Sequence, residues 1–164
     1  MEEYKSELEE VRKERRKKKN GDVNASNEFF TPSDLVKKMC DKVPEEDWMD
    51  LTKTFLEPCL GNGNFIVEIV DRKLKYCKSE EDVYTALSNV YGVELMEDNL
   101  QECKERVLML LIRYSSTHGM DLNDRRIMKI LDENFVCSDF FKWNFEEWRP
   151  YTEEELKQIS KKKK

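Results

Sequence analysis

The chain has 164 residues, which is enough for one domain with a buried core, with or without an appendage. Hydrophobic residues make up 38% of it and charged residues 39%, and the lack of any run of 18 apolar residues argues against a membrane span. The net charge of −6 argues against a protein whose whole surface binds DNA.

The five cysteines are scattered and form no Cys-x-x-Cys pair. We therefore expect reduced core thiols in an intracellular, cytoplasmic protein rather than a disulfide framework. The sequence contains one histidine, His118, which argues against a histidine-based zinc site and against a Ser-His-Asp triad. No metal site is predicted. The cysteines are Cys40, Cys59, Cys77, Cys103 and Cys137.

Charge divides the chain into three predicted parts: a charged helix over residues 1–21, an α/β domain over 22–145 and a charged C-terminal helix or tail over 146–164. Residues 12–19 hold seven basic side chains and one acidic one, and the chain ends in four lysines. These stretches could contact DNA phosphates. The alternative for the first stretch is a solvated, loosely docked helix.

Within the domain, strands are predicted to alternate with helices, which indicates a parallel sheet with helices on its faces. The long helix over 98–114 carries its apolar residues at helical spacing. The aromatic residues after position 139 are interpreted as core or sheet-edge packing, or as a partner surface if they are exposed. The predicted strands are 54–57, 90–95 and 134–139, and the other predicted helices begin near 32, 64, 80 and 121.

In such sheets the ligand lies beyond the carboxyl ends of the strands. The first strand end continues as Glu57-Pro58-Cys59-Leu-Gly61-Asn-Gly63, and its two glycines let the backbone turn sharply and approach a ligand. The helix that follows presents free N–H groups to a carboxylate or phosphate.

The other two strand ends carry acids. Glu94 can accept hydrogen bonds from both ribose hydroxyls. Asp139 can accept from an adenine amino group, and Phe140 beside it can stack on the purine.

The sequence fits the glycine motifs of dinucleotide-binding and Walker-type phosphate-binding sites less well. The third glycine of a dinucleotide motif is replaced by Ile66, and Glu94 comes 37 residues after Glu57 rather than roughly 20. A phosphate-binding loop of the Walker type is excluded because no Gly-Lys-Ser/Thr follows the glycines.

Four segments in order resemble the adenine-specific, exocyclic-amino DNA methyltransferases of restriction–modification type. They are NEFFTPSDLVKKM, TFLEPCLGNGNFIVEI, VYGVELMEDNL and NFVCSDFFKW, and the resemblance covers roughly residues 28–145. The resemblance implies a Rossmann-like S-adenosylmethionine (SAM)-dependent methyltransferase fold and SAM as the cofactor. The SAM-binding residues that it implies are Phe30, Thr31, Glu57, Pro58, Cys59, Gly61, Gly63, Phe65, Glu94, Leu95, Asp139 and Phe140.

The family's catalytic motif, Asp/Asn-Pro-Pro followed by an aromatic residue, does not occur in the sequence. No catalytic residue is therefore assigned, and the chain alone is expected to be inactive. It is interpreted either as the SAM-binding portion of an enzyme completed elsewhere or as a non-catalytic SAM-binding regulator or decoy of restriction–modification machinery. An open sheet edge after three strands predicts self-association or a second protein chain.

Overall fold

A computed structural model describes residues 30–162 of the chain. The predicted helix over 1–21 and its basic run lie outside the described residues, as do the side chains of 161–164. The elements in chain order are α1 (Ser33–Cys40), α2 (Glu45–Met49), β1 (Phe55–Glu57), α3 (Asn64–Leu74), α4 (Glu80–Ser88), β2 (Val90–Glu94), α5 (Glu97–His118), α6 (Asp124–Asn134), β3 (Phe135–Cys137), a 3-10 turn (Phe140–Lys142), β4 (Trp143–Asn144), β5 (Arg149–Pro150) and α7 (Glu153–Lys162).

The first three strands form a parallel sheet in the order β1-β2-β3, with β2 in the centre. Glu57 pairs with Gly92, and Glu94 pairs with Cys137, so the three strands end close to one edge. The predicted α/β architecture, a parallel sheet with flanking helices, is confirmed in this part of the chain. The strands are shorter than predicted; at β3, helix α6 continues to Asn134.

The core forms where the helices pack on the sheet and on one another. Helix α5 buries the apolar side that its spacing predicts, and α3 lies between α5 and α1. The α5 residues concerned are Leu100, Cys103, Val107, Leu110 and Leu111, all at most 5% exposed.

One prediction from the sequence is wrong, and one helix was not predicted. Cys59 and Cys137 are exposed rather than buried, because they lie at the strand ends, at the edge that the helices leave open. Helix α2, which the sequence did not suggest, begins directly after Pro44, whose fixed φ suits the residue before a helix. Its Trp48 stacks on Phe55 of β1 with ring centres 4.6 Å apart.

The segment after the 3-10 turn forms an antiparallel hairpin of β4 and β5. No strand was predicted after residue 139, yet β5 begins directly after Trp148, which adopts a positive φ of 51° between the two strands. Its ring packs on Tyr91 of β2 with centres 4.7 Å apart. Trp143 is buried, whereas Phe141 is 77% exposed. The hairpin spans residue 145, where the domain limit is predicted, and that limit remains a prediction.

In residues 30–162, none of the helices is both long and apolar enough to cross a membrane. The same part of the chain contains no group of three or more His, Cys, Asp or Glu side chains that could hold a metal ion.

Lys73 of α3 is fully buried and holds the segment that leads into β1. Its Nζ donates to the carbonyl oxygens of Asp50 at 3.3 Å and Lys53 at 2.8 Å, and lies 4.9 Å from the centre of the Phe55 ring. Burial lowers the pKa of Lys73 to about 8, because the ammonium has lost its water, and the negative charge of Asp50 acts in the opposite direction.

Replacing Lys73 with Met should remove a pH dependence of stability between about pH 8 and 10.5. In this window the unfolded lysine, with its ordinary pKa of 10.5, binds a proton that the folded chain does not. The contribution of Lys73 to the free energy of unfolding therefore rises with pH, by at most about 3 kcal/mol, while below pH 8 both states are protonated and Lys73 adds no slope. The buried thiols of Cys77 and Cys103, whose pKa burial raises to about 12, contribute a slope of opposite sign that Lys73→Met leaves in place.

Urea unfolding across this pH range measures the difference. The exposed neighbour Lys75 is the matched control, and Lys75→Met should keep the wild-type slope. Parallel curves for the wild type and Lys73→Met would contradict the assignment.

Candidate functional site

Three acidic side chains follow the three parallel strands at the same edge of the sheet. Glu57 ends β1, Glu94 ends β2, and Asp139 lies two residues after β3. The N–H of Ser138 donates to the main-chain oxygen of Glu94 at 2.8 Å, which joins the end of β2 to the turn after β3. This edge therefore concentrates negative charge where α/β sheets bind their ligands.

The segment between β1 and α3, residues 58–63, is called the glycine loop here. Gly61 and Gly63 have φ values of 53° and 86°, which residues other than glycine rarely adopt. The N–H of Leu60 donates to the oxygen of Val93 in β2 at 3.0 Å, and the N–H of Gly63 donates to the oxygen of Leu60 at 2.9 Å. The loop is thus a tight turn attached to the central strand.

Close packing fixes the loop on both sides. A Cβ added at Gly92 of β2 would overlap the side chain of Leu60. A Cβ added at Gly63 would lie 2.5 Å from the Sγ of Cys103 in α5. Neither position can carry a side chain without moving the loop, because buried atoms are already at contact distance.

Glu94 links the glycine loop to the end of β2. Its Oε2 accepts from the N–H of Gly61 at 2.7 Å, and its Oε1 accepts from the N–H of Met96 at 3.0 Å. The residue is only 8% exposed. Each carboxylate oxygen can accept more than one hydrogen bond, so the side chain can hold the loop and still receive hydroxyl groups from a ligand.

A cavity of about 250 Å³ lies between the glycine loop and the segment before α1. The Nδ2 of Asn64 donates to the oxygen of Thr31 at 2.8 Å, and the ring of Phe30 lies against Gly61. The Oδ1 of Asn62 is buried and accepts no hydrogen bond from the described residues. The cavity is lined by Phe30, Thr31, Glu57, Cys59, Leu60, Gly61, Asn62, Asn64 and Phe65.

The Glu57 carboxyl in this cavity is half-buried. Burial raises the pKa of Glu57 above its ordinary value, while the N–H of Cys59, which donates to Oε1 at 3.2 Å, acts in the opposite direction. Burial and the nearby carboxylates of Glu57 and Glu94 also raise the pKa of the Cys59 thiol. Glu57 therefore gains from a cationic partner that would restore the interactions lost on burial.

The remaining predicted site residues lie outside the cavity lining. Asp139 Oδ1 accepts from the N–H of Phe141 at 3.0 Å, and its Oδ2 lies 3.5 Å from the Nζ of Lys142. Phe140 is 37% exposed and Leu95 is 67% exposed. They follow β3 and β2 at the acidic edge, whereas Pro58 and Gly63 form the glycine loop itself.

Two larger hollows lie elsewhere on the described surface, with volumes of about 450 and 490 Å³. In the first, Arg72 is paired with Asp41 and Glu68. In the second, Arg126 is paired with Glu81. Both arginines thus already have carboxylate partners, and the smaller cavity at the strand ends is the better candidate site because it adjoins the glycine loop and Glu57.

Sequence reasoning missed three side chains that line the cavity, Leu60, Asn62 and Asn64. The two asparagines follow the glycines directly, and their position in the motif is the signal that could have identified them. It also missed Arg106 of α5, whose Nη1 donates to the oxygen of Asn62 at 2.6 Å. A helix residue 44 positions away carries no such signal in a single sequence.

Comparison with known proteins gives one curated relative. Over 84 residues, which are 51% of this chain, the sequence is 32% identical to the Type II methyltransferase M.VspI of Vibrio sp. (strain 343). The aligned segment spans 17% of that protein's length. No family model and no solved structure matches the chain. The chain is thus distantly similar, over half its length, to a methyltransferase of restriction–modification type.

Proposed function

We propose that the chain binds SAM at the carboxyl edge of its sheet and is the cofactor-binding portion of an adenine-specific DNA methyltransferase of restriction–modification type. The observation that carries the proposal is a glycine loop that opens a helix, beside strand ends bearing Glu57, Glu94 and Asp139. The similarity to a Type II methyltransferase and the α/β architecture support it. On this proposal the sheet is half of a Rossmann-like methyltransferase fold.

The charge of the edge favours SAM over a dinucleotide. SAM carries an ammonium and a sulfonium group, whereas a dinucleotide carries two phosphates. The cavity lining contains the carboxylate of Glu57 and neither Lys nor Arg. Phosphates placed there would be repelled, and cationic groups would be attracted.

The available donors and acceptors fit each part of SAM. Glu57, with the unpartnered Oδ1 of Asn62 nearby, suits the ammonium. The first N–H groups of α3 suit the carboxylate, since a helix N-terminus attracts anions. Glu94 would accept from the ribose hydroxyls and Asp139 from the adenine amino group. The remaining ligand contacts that the resemblance to the methyltransferase family implies are Phe30, Thr31, Pro58, Cys59, Gly61, Gly63, Phe65, Leu95 and Phe140.

SAM bound at this site would supply an electrophilic methyl group. The residues described above would hold and orient the cofactor. The Asn-Pro-Pro-aromatic motif that positions the target base in the resembled family is not among the 164 residues. We therefore expect the chain alone to bind SAM without methylating DNA, with activity depending on a further segment or partner.

SAM should bind the purified chain saturably, and variants at two strand ends should weaken it. Glu94→Gln removes the charge that receives the ribose hydroxyls, and Asp139→Ala removes the acceptor for the adenine amino group. Each loss of a hydrogen bond to a charged group should raise the dissociation constant about 10- to 100-fold. Calorimetric titration measures the change.

Glu154→Ala is the matched control, because Glu154 is an exposed acid of α7 away from the strand ends. It should bind SAM like the wild type. Thermal unfolding of all variants checks that the fold is kept. Absence of SAM binding by the folded wild-type chain would reject the proposed function.

Binding of SAM should weaken as the pH falls through the raised pKa of Glu57. Protonation removes the charge that attracts the ammonium. A carboxyl whose folded pKa is raised stabilises the fold as it protonates, so titration of Glu57 itself does not unfold the chain. Glu57→Gln should lower the affinity about 10-fold at pH 7 and remove this acid-side loss. An unchanged pH profile in Glu57→Gln would exclude Glu57 as the ammonium partner.

The proposal also concerns the exposed edge of the sheet at β1. Among the described residues β1 pairs only with β2, and Leu56 in the middle of β1 is 44% exposed. Such edges usually pair or are covered, so we expect self-association or binding of a second protein chain. Light scattering of the wild type should show a mass that rises with concentration, and Leu56→Lys should reduce it. A monomer throughout would argue against self-association.

A further inference from the structure

Helix α5 contacts the back of the glycine loop, on the side away from the cavity. Cys103 packs against Gly63 so closely that no Cβ fits there. One turn further along the same helix, the Nη1 of Arg106 donates to the main-chain oxygen of Asn62 at 2.6 Å. The Nδ2 of Asn62 lies 3.5 Å from the Oε1 of Glu102, which belongs to the same side of α5.

The peptide unit between Asn62 and Gly63 is held at both ends. Its N–H, on Gly63, donates to the oxygen of Leu60, and its C=O, on Asn62, accepts from Arg106. Because a trans peptide is planar with its N–H and C=O pointing in opposite directions, these two bonds fix its orientation. The unit directly precedes α3, so it also sets the direction in which the first N–H groups of that helix point.

Without Arg106 the orientation of this unit would depend on the hydrogen bond from the Gly63 N–H and on the packing of Gly63 against Cys103. The unit adjoins Gly63 and lies one residue after Gly61, both at positive φ. Glycine reaches several backbone conformations at similar cost, so the two flanking glycines themselves add little resistance to rotation of the carbonyl end. The hydrogen bond from a guanidinium is charge-assisted and therefore stronger than one between neutral groups.

We propose that Arg106 is a positioning residue for the cofactor site: it orients the Asn62–Gly63 peptide unit so that the glycine loop and the start of α3 are ready to bind the amino-acid end of SAM. This inference rests on the proposed function for its ligand. Arg106 acts through the main chain and does not itself line the cavity.

The experiment compares Arg106→Met and Arg106→Lys with Arg113→Met, the matched control. Arg113 is an exposed arginine on the same helix, about two turns away from the loop. SAM affinity is measured by calorimetry, and the amide resonances of Gly61, Gly63 and Gly119 are measured by NMR without ligand. Gly119 also has a positive φ but ends α5, so it reports any general change in the fold.

Arg106→Met should raise the dissociation constant for SAM about 10-fold, equivalent to about 1.4 kcal/mol, and should shift or broaden the Gly61 and Gly63 resonances but not that of Gly119. Arg106→Lys, which keeps a charged donor, should recover part of the affinity. Arg113→Met should match the wild type.

Failure of the inference and failure of the proposed function are distinguishable. If the wild type binds SAM and Arg106→Met binds it equally well, the inference is wrong and the proposed function stands. If the folded wild type does not bind SAM, the proposed function fails and this role falls with it. A loss of affinity accompanied by equal changes at Gly119 would mean a general structural effect and would also overturn the inference.

Discussion

The site depends on the close approach of the glycine loop to the central strand and to helix α5. Gly92 leaves the space that the Leu60 side chain fills, and Gly63 leaves room for the Cys103 sulfur. A methyl group at either position would push the loop away from the sheet. The same contacts bring the N–H of Gly61 within 2.7 Å of Glu94, so backbone packing sets the position of the acid that would receive a ligand.

Glu94 therefore has two roles at one carboxylate. It holds Gly61 and Met96 through its two oxygens, and on the proposed function it also receives the ribose. These roles are compatible because backbone donors occupy only part of the acceptor capacity of a carboxylate. They also mean that Glu94 variants alter the loop as well as the ligand contact, whereas Asp139, which bonds only within its own turn in the contacts described, reports the ligand contact more directly.

Much of the fold could be predicted from the sequence, because the residue patterns that indicate helices and strands are local. Helical spacing identified the buried side of α5, and the order of strands and helices indicated a parallel sheet. The hairpin around Trp148 was missed because its two-residue strands are too short for a periodic pattern, and its conformation depends on packing against Tyr91. Arg106 was missed for a related reason, since its contact with the loop exists only after α5 has packed.

The acidic strand ends also bear on how the site would treat the product of methyl transfer. SAM loses its sulfonium charge when the methyl group leaves, and the product keeps only the ammonium and carboxylate. Glu57 and Glu94 are partly shielded from water, where Coulomb interactions are stronger than in bulk solvent. Loss of one positive charge beside them therefore weakens the attraction for the product relative to the substrate. The cavity lining contains no arginine or lysine. On the proposed function, the site would therefore bind SAM more tightly than the demethylated product, which favours release of the product and turnover.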